Sequence, residues 1–271
     1  MGRITPEQLA RWQQAVGREE VAEQLLDAAA LRRFAQAVGL DDETQGPPLP
    51  HWSWFLPSPL DAEIGADGHP RRGNFLPDVS LPRRMYAGAS MEFAGEIELG
   101  AEARQTSRVA DLTHKGGRSG DLVFAKVEKR LEQGGALKVR EVQTYVYRDE
   151  GERVAMPVPA DTPPEGELWQ PDEVNLFRFS AATANGHRIH YDYPYTTEIE
   201  GYPALIVHGP FTAAKLAGLA MRDGPLATFA FRAMAPLFLG QPIYLRRTGV
   251  GQLEAVRCDG ATAMSAEATY R

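Results

Sequence analysis

The sequence predicts an α+β protein made of two similar halves, and three observations support this fold class. Two series of short alternating or β-branched segments, typical of antiparallel strands, lie at 85–148 and 227–271. A segment with the apolar periodicity of helices precedes each series. Short residue triplets also recur at a constant offset, as expected of a tandem duplication. We therefore expect a helix-then-sheet unit that occurs twice.

The composition indicates a soluble globular protein and excludes several functions. The chain has 271 residues, 43% hydrophobic and 24% charged, which is enough for one large or two ordinary domains. A net charge of −7 argues against a nucleic-acid partner. The single cysteine, Cys258, excludes an internal disulfide framework, and we expect it buried on a strand. No apolar run reaches membrane-spanning length and the N-terminus lacks an apolar signal core, so we predict a cytoplasmic protein without a membrane partner.

The N-terminal region, residues 5–38, is predicted to form two helices. Thr5-Pro6-Glu7 is a helix start signal, Gly17 separates the two helices, and Gly39 is the expected stop. The apolar stripe of these helices comprises Val21, Leu25, Leu26, Leu31, Phe34 and Val38.

Residues 45–82 form a contrasting segment with eight prolines, together with Trp52, Trp54, Phe55 and Phe75. Proline removes a backbone donor and fixes φ, so this density forbids a regular helix. We expect a long aromatic loop packed on a larger body. An irregular stretch of this length within a compact domain is usually functional.

The first β series is predicted to be an antiparallel meander. Its strands are expected at 91–99, 107–112, 122–131 and 137–147, with turns at Gly116-Gly117 and Gly134-Gly135. Residues 150–167, rich in Pro, Gly and acidic side chains, are expected to be a linker. The second β series has predicted strands at 227–239, 242–248, 252–258 and 262–271.

The stretch 177–209 carries the candidate chemistry. It brings three imidazoles (His187, His190 and His208) and the carboxamide of Asn185 ahead of Gly209-Pro210. An apolar run with small residues, 211–221, follows and predicts a buried helix whose first N–H groups are free. Such an entrance can combine a base with an electrophilic cradle.

The duplication rests on two anchors. Arg33-Phe34-Ala35 corresponds to Arg178-Phe179-Ser180, and Phe93-Ala94-Gly95 to Phe238-Leu239-Gly240, in both cases 145 residues later. We predict a first half at 1–149, the linker at 150–167 and a second half at 168–271. In the first half the Pro-rich loop takes the position of the buried helix, which should open a cavity against the second half.

Three stretches resemble the MaoC-like hydratases and dehydratases of the double hot-dog fold. They are FRFSAATANGHRIHYD (177–192), EGYPALIVHGPFTAAKL (200–216) and LPRRMYAGASMEFAGEIELG (81–100). Within that family the chain resembles the HTD2-like, FAS1-like branch, which includes mesaconyl-C4-CoA and itaconyl-CoA hydratases. The resemblance implies two antiparallel sheets, each associated with a helix, with the central helix of the first half replaced by the Pro-rich loop. It also implies one active site per chain.

The resemblance assigns roles to three residues. His190 falls on the motif's histidine and is expected to be the general base, and Gly209 falls on the His-Gly glycine, whose N–H would bind the thioester oxygen. Asn185 falls on the position of an acid, which an amide cannot replace as a proton carrier, and is expected to position water. Ala184 stands where the branch would carry an aromatic residue. Each residue also has a structural interpretation: a core histidine, a packing glycine and an Asn-Gly turn.

A further set of residues is expected to bind or orient the substrate: Trp52, Arg83, Arg84, Met85, Tyr86, His187, Arg188, Tyr191 and His208. Arg188 would clamp a substrate carboxylate, or lie at the surface. Arg83 and Arg84 would reach coenzyme A phosphates or the acyl carboxylate, and at least one of them is equally well an exposed charge. Asp192 would orient an imidazole, or bond to backbone in a turn.

The implied function is the reversible hydration of an enoyl-CoA thioester with a dicarboxylic acyl group, of the mesaconyl-C4-CoA or citramalyl-CoA type. One alternative is a dehydratase of 3-hydroxyacyl-carrier-protein or medium-chain 3-hydroxyacyl-CoA substrates. Another is a thioester-binding protein that lost its chemistry when the acid became Asn185. No zinc, phosphate-loop or dinucleotide motif is found, so we predict no metal and no cofactor beyond the coenzyme A of the substrate. A monomer is permitted, and we favour a homodimer.

Overall fold

The computed structural model describes residues 4–39, 46–117, 120–149, 151 and 153–271. Its strands are β1 (Glu19–Leu25), β2 (Arg83–Phe93), β3 (Glu102–Gly117), β4 (Gly120–Gln133), β5 (Ala136–Arg148), β6 (Glu167–Trp169), β7 (Leu226–Ala233), β8 (Ile243–Gly249), β9 (Gln252–Arg257) and β10 (Thr262–Tyr270). The α-helices are α1 (Pro6–Gln13), α2 (Ala28–Val38), α3 (Glu173–Thr183) and α4 (Gly209–Met221). Short 3-10 turns lie at Pro50–Ser53, Asp61–Glu63 and Arg188–His190, and a π-helical turn at Tyr195–Ile199. None of the helices in these ranges is long and apolar enough to cross a membrane.

The ten strands form one continuous antiparallel sheet in the order β1-β3-β4-β5-β2-β7-β10-β9-β8-β6. The order on one side of the centre repeats on the other, because β1-β3-β4-β5-β2 corresponds to β6-β8-β9-β10-β7. The two predicted sheets therefore join edge to edge where β2 pairs with β7, for example at Ser90 and Ala230. The predicted α+β class is confirmed.

The two halves also correspond in their helices. Helix α2 spans 28–38 and α3 spans 173–183. The first residues of the two helices, and likewise their last residues, are 145 positions apart, which is the predicted offset. The second sequence anchor does not correspond in the same way: Phe93 ends β2, whereas Phe238 lies five residues beyond the last residue of β7. The repeat is thus a property of the strand order and of α2 and α3.

The core of the second half is built around α4. Pro210 lies in the first turn, and the small or apolar side chains that follow are almost all buried against β7 to β10, as the sequence predicted for 211–221. Phe211 stacks on Phe179 of α3, with 4.7 Å between ring centroids. This packing fixes where α4 begins.

The first half has no α-helix in its described residues 46–82, which confirms the predicted irregular, aromatic segment. Trp54 is buried and its Nε1 donates to the carbonyl of Asp27 at 3.2 Å. Residues 40–45, which include the predicted start of this loop, lie outside the described residues. We use the name "Pro-rich loop" for residues 46–82.

The N-terminal prediction of two helices missed a strand between them. Val21 and Leu25 lie on β1, pair with the edge of β3 and are about half exposed. Their four-residue spacing suits a helix face, but the 16-residue β3 offers an open row of backbone groups that β1 satisfies. Phe34 is buried as predicted, and Gly39 ends α2 in the left-handed conformation at φ 77°.

Three predicted strands have wrong boundaries. The strand expected at 91–99 begins at Arg83 and ends at Phe93, and the strand expected at 227–239 ends at Ala233. In these two cases the alternating pattern continues into a segment that leaves the sheet. The strand expected at 107–112 is part of the longer β3, Glu102–Gly117. The Gly134-Gly135 turn is confirmed, with φ positive at both residues.

Three further features predicted from the sequence lie at the ends of strands. Gly116-Gly117 ends β3, and the residues that connect it to β4 lie outside the described ranges. The described part of the predicted linker is irregular up to β6, which begins at Glu167. Cys258 is buried as expected, but it lies one residue past the end of β9 and not on the predicted strand.

Candidate active site

His190 lies at the end of the 3-10 turn and is buried. Its Nδ1 is 2.7 Å from the carbonyl oxygen of Ile206, so Nδ1 carries the ring proton and donates it. The lone pair of Nε2 is left available. Burial lowers the pKa of His190 to about 3, and the charge of the nearby His187 contributes to this decrease. The ring is therefore neutral near pH 7, which is the form that a general base requires.

The ring of His208 packs against one face of the His190 ring. It is the N-cap residue of α4, is fully buried, and its Nε2 lies 2.8 Å from the hydroxyl oxygen of Ser180. Its ring stacks on His190 with 3.6 Å between centroids and 21° between planes. Burial and the neighbouring His190 hold the pKa of His208 well below its usual range. Two neutral rings thus lie face to face at the start of α4.

Gly209 is the first residue of α4 and follows His208 directly. The N–H groups of the first helical turn have no acceptor within the helix and carry the positive end of its dipole. A Cβ at Gly209 would make only an ordinary contact with Met264, at 3.9 Å. The glycine is therefore not required by crowding at this point, and its N–H is one of the helix-start donors that have no acceptor within the helix.

Asn185 lies directly after α3. Ala184 ends that helix in the left-handed conformation, at φ 49° and ψ 35°. The side-chain Oδ1 of Asn185 accepts the backbone N–H of His187 at 3.1 Å, and its own N–H donates to Ser180. The amide oxygen is thus used in the turn that leads to the histidines. Its Nδ2 is the part left to contact a ligand.

A third and a fourth imidazole continue the cluster. His187 meets His190 edge-on, with 5.6 Å between centroids, and the ring of His69 lies 4.2 Å from that of His187. His69 belongs to the Pro-rich loop of the first half and was not among the residues predicted from the sequence. Burial lowers the pKa of His187 to about 3, and the charges of His69 and Arg84 add to this effect.

His69 is held by Asp67 of the same loop. The carboxylate accepts the backbone N–H of His69 at 3.0 Å and faces its Nδ1 at 3.3 Å. Burial acts to raise the pKa of Asp67, but the hydrogen bonds from His69 outweigh it and hold this pKa well below its usual range. An aspartate two residues before a histidine in a Pro-rich loop was the signal available in the sequence.

The Pro-rich loop is docked on the histidine segment by backbone contacts. Arg188 donates its N–H to the carbonyl of Asp67 at 2.9 Å and a guanidinium N–H to the carbonyl of Ala66 at 3.0 Å. Gly68, at φ 86°, lies so close to Gly186 that a Cβ would come within 1.9 Å of the carbonyl oxygen of Gly186. Both halves of the chain thus form this site.

Comparison with protein families matches residues 49–239 to the family described as hydroxyacyl-thioester dehydratase type 2. The chain belongs to this family. The mesaconyl-C4-CoA hydratase of Chloroflexus aurantiacus is 41% identical to it over 273 residues, which cover 95% of this chain and 97% of that protein. The predicted family resemblance and the assignment to the hydratase and dehydratase enzymes are confirmed.

Solved structures confirm the predicted double hot-dog fold. A MaoC-like dehydratase from Phytophthora capsici has a TM-score of 0.68 at 15% identity, covering 97% of each chain. A Mycobacterium tuberculosis protein described as having a double hot-dog fold has a TM-score of 0.57 at 10% identity, covering 93% of this chain and 95% of the other.

In this member of the hydroxyacyl-thioester dehydratase type 2 family, Arg188 already has a carboxylate partner. Its guanidinium donates to Asp192 Oδ2 from two nitrogens, at 2.9 and 2.7 Å, and lies over the ring of Tyr195. The other oxygen of Asp192 accepts the N–H of Tyr195 at 3.0 Å. Asp192 therefore does not contact an imidazole, contrary to one of the two roles expected for it, and Arg188 is not the free clamp that the sequence suggested. Tyr191 is half exposed and donates its hydroxyl to Gly186.

Arg83 and Arg84 point to opposite faces of β2. Arg83 pairs with Glu200, with Nε 3.4 Å from Oε2, and its guanidinium lies over the ring of Tyr202. Arg84 has a long hydrogen bond, 3.5 Å, to the carbonyl of Pro70, and its charge acts on His187, Asp67 and Tyr147. Of the three candidate arginines, Arg84 is the one that faces the imidazole cluster without a carboxylate at ion-pair distance within the described residues. Met85 is 37% exposed.

Trp52 and Tyr86 bind a buried carboxylate in the first half of the chain. Glu141 on β5 accepts Trp52 Nε1 at 3.1 Å, the Tyr86 hydroxyl at 3.3 Å and Gln143 Nε2 at 3.0 Å. His51 Nε2 lies 3.4 Å from the second carboxylate oxygen of Glu141.

The environment of Glu141 favours its ionised form. Burial acts to raise the pKa of Glu141, but the interaction with His51 has the larger effect and lowers this pKa to about 2. Both aromatic rings also pack near Phe231 of β7, so they lie at the junction of the halves, and their role in an acyl cavity stays a prediction.

Proposed function

We propose that this protein reversibly hydrates an enoyl-CoA thioester and that His190 is its general base. The observation that carries the proposal is the hydrogen bond from His190 Nδ1 to Ile206, because it leaves the Nε2 lone pair free on a buried, neutral ring. General-base catalysis by a positioned group typically contributes about 10²–10⁴-fold. The location beside the start of α4 supplies the second requirement, positive potential for a developing oxyanion.

In the proposed reaction a water adds across the double bond. His190 Nε2 removes a proton from the water as its oxygen attacks the β-carbon, and the π electrons move toward the thioester oxygen. The N–H of Gly209 and the dipole of α4 stabilise the negative charge on that oxygen. A proton then reaches the α-carbon and completes the hydroxyacyl thioester. Asn185 Nδ2 would hold the oxygen that attacks or leaves, since its Oδ1 is occupied in the turn.

The proposed acyl group is dicarboxylic, of the mesaconyl-C4-CoA or citramalyl-CoA type. The name of the Chloroflexus aurantiacus relative supports this choice. In the structure, Arg83 and Arg188 lie beside Glu200 and Asp192, so Arg84 is the arginine that we assign to the free carboxylate of the substrate. A guanidinium can bind a carboxylate through two parallel hydrogen bonds. No cofactor beyond the coenzyme A of the substrate is needed for these steps, and a homodimer stays our preferred assembly.

A second candidate is the dehydration of 3-hydroxyacyl thioesters with an apolar chain. The family description supports it, and the rings of Trp52, Tyr86 and Phe231 at the junction of the halves favour apolar chains. The ionised carboxylate of Glu141 beside these rings would repel a second carboxylate, so we do not place the free carboxylate of the substrate there. We place the dicarboxylic substrate first because of the name of the Chloroflexus aurantiacus relative and the position of Arg84 near the imidazole cluster.

The test follows the enoyl-thioester absorbance of mesaconyl-C4-CoA after protein is added, with crotonyl-CoA in parallel. We expect turnover of mesaconyl-C4-CoA, weaker turnover of crotonyl-CoA, and loss of about 10²-fold or more in His190→Ala. The matched control is His114→Gln, because His114 pairs with Asp121 at 2.7 Å on β3, three strands from β2. Preference for crotonyl-CoA would favour the second candidate. Binding of both thioesters without turnover would leave a thioester-binding protein.

A further inference from the structure

The proposed hydration lacks one proton-transfer group. Addition of water requires removing a proton from the water and delivering one to the α-carbon. His190 can do the first, but Asn185, where an acid would be expected, cannot donate a proton near neutral pH. A single base can serve both steps only if the same nitrogen reaches both atoms. The environment of the site offers another group.

We propose that His69, oriented by Asp67, is the second proton-transfer residue of this site and supplies what Asn185 cannot. This inference rests on the proposed hydration activity. The observation behind it is the line of contacts from His190 through His187 to His69 and on to Asp67, with centroid distances of 5.6 and 4.2 Å and a final N–O distance of 3.3 Å. The first half thus completes the catalytic group of the second.

The Asp67 carboxylate gives His69 a defined orientation. It faces Nδ1 and accepts the residue's own backbone N–H, which fixes the ring and favours the tautomer with hydrogen on Nδ1. Nε2 is then the atom that faces away from the carboxylate and exchanges a proton. The charged and titratable groups around His69 are Asp67 on its own loop, His187 and His190 on the second-half segment, and Arg84 on β2.

The position of His69 suits exchange with solvent. Its side chain is 27% exposed, whereas His190 is 6% exposed. The loop cannot shift freely, because Arg188 holds the carbonyls of Ala66 and Asp67 and Gly68 packs against Gly186. His69 is thus both fixed in place and open to water.

The proton balance closes over one turnover. His190 takes a proton from water as the carbon–oxygen bond forms, and protonated His69 gives a proton to the α-carbon as the double-bond electrons return from the thioester oxygen. His190 then releases its proton to solvent and His69 takes one up from solvent, which restores both residues. Dehydration follows the same steps in reverse. These steps need no oxidant or reductant.

The test compares His69→Ala, His69→Gln and Asp67→Asn with wild type on the best enoyl-CoA substrate, with His114→Gln as the control. We expect kcat to fall about 10²–10⁴-fold in both His69 variants while KM changes little, and a smaller loss in Asp67→Asn. The alkaline limb of the wild-type pH–rate profile should disappear in His69→Gln. Imidazole added to the buffer should restore part of the activity of His69→Ala, because the site is open to solvent.

Several results would overturn the inference. They are an unchanged pH profile in His69→Gln, activity near wild type in that variant, or no rescue of His69→Ala by imidazole. Loss of wild-type activity in a metal chelator, restored by a divalent cation, would also overturn it, since the residues would then act through a metal. A wild type without turnover would instead reject the proposed function. In that case ¹⁵N NMR still decides on the orientation, because we expect His69 to carry hydrogen on Nδ1 and Asp67→Asn to change that signal.

Discussion

His190 and His208 lie face to face, 3.6 Å apart, and neither ring can take up a proton without placing a charge in a buried site. One ring is fixed by a backbone carbonyl and the other by the hydroxyl of Ser180. Their stacking therefore joins the candidate base to the start of α4. It also makes the fold sensitive to acid.

The free energy of unfolding should fall as the pH drops below about 6.5. His190 and His187 have a pKa of about 3 in the folded state, and the pKa of His208 is well below its usual range, so the unfolded chain binds more protons in this window. Stability is then full above the ordinary histidine pKa and decreases with falling pH, by up to about 1.4 kcal/mol per pH unit for each histidine. Urea denaturation at pH 7.5, 6.0 and 5.0 measures this. A flat profile over that range would contradict the prediction.

Ser180→Ala should disturb the site through His208. It removes the hydroxyl 2.8 Å from His208 Nε2 and leaves a buried ring nitrogen without its partner, which we expect to reduce stability by about 1–3 kcal/mol and to lower kcat. Thr183→Ala on the same helix is the control, because its hydroxyl bonds only to the carbonyl of Phe179. Melting curves and initial rates provide the comparison. Equal effects of the two changes would argue against a role for Ser180.

Gly68→Ala should displace the Pro-rich loop from the histidine segment. The new Cβ would meet the Gly186 carbonyl at 1.9 Å, at a residue whose φ of 86° is already unfavourable for alanine. Gly73→Ala is a matched control in the same loop, with φ of 105° but its nearest neighbour at 3.6 Å. An alanine at such a positive φ should cost about 1–3 kcal/mol of stability in each of the two variants. Only Gly68→Ala should also lose most of the hydratase activity.

Glu141→Ala should destabilise the protein by about 3–5 kcal/mol, because it leaves the donors of Trp52, Tyr86 and Gln143 without their acceptor and removes the carboxylate 3.4 Å from buried His51. Glu254→Ala is the comparison, since that glutamate pairs with Arg246 on a strand nearer the solvent and such pairs contribute about 0–1 kcal/mol. Chemical denaturation gives both values. A loss of less than 1 kcal/mol for Glu141→Ala would show that water or relaxation replaces the carboxylate.

Arg84→Ala should change substrate preference. If its guanidinium binds the free carboxylate of a dicarboxylic acyl group, its loss should raise KM for mesaconyl-C4-CoA by about 10–150-fold, the equivalent of a charged hydrogen bond of about 1.5–3 kcal/mol. Crotonyl-CoA has no such carboxylate and should be little affected. Arg188→Ala, which removes a partner of Asp192, should not separate the two substrates. An equal change for both thioesters in Arg84→Ala would place the carboxylate elsewhere.

The second half was largely predictable because its signals are local. A proline after a glycine, followed by small apolar residues, specifies the start of a buried helix, and the structure begins α4 at Gly209. His190 could be singled out because it falls on the histidine of the motif in the family that the chain resembles. Its orientation could not, because the carbonyl of Ile206 that fixes the ring is reached only through the fold.

The first half was harder to predict because its contacts join distant residues. The distance in sequence between His69 and His187 is 118 residues, and nothing in either segment indicates the other. Glu141 resembles an ordinary strand glutamate until Trp52 and Tyr86 are placed around it. The role of Arg188 was left open between a carboxylate clamp and a surface charge for a related reason. Arg188 has Asp192 four residues later, a spacing that is common, and whether the pair forms depends on local geometry.

The pairing of β2 with β7 within one chain determines how the assembly of the site depends on protein concentration. Where two halves of a site lie on separate chains, the fraction of assembled sites falls on dilution. Here the halves are tethered, so their association is intramolecular and has a fixed effective concentration. The contact between the Pro-rich loop and the histidine segment should persist at any protein level, and specific activity should not decline when the enzyme is scarce.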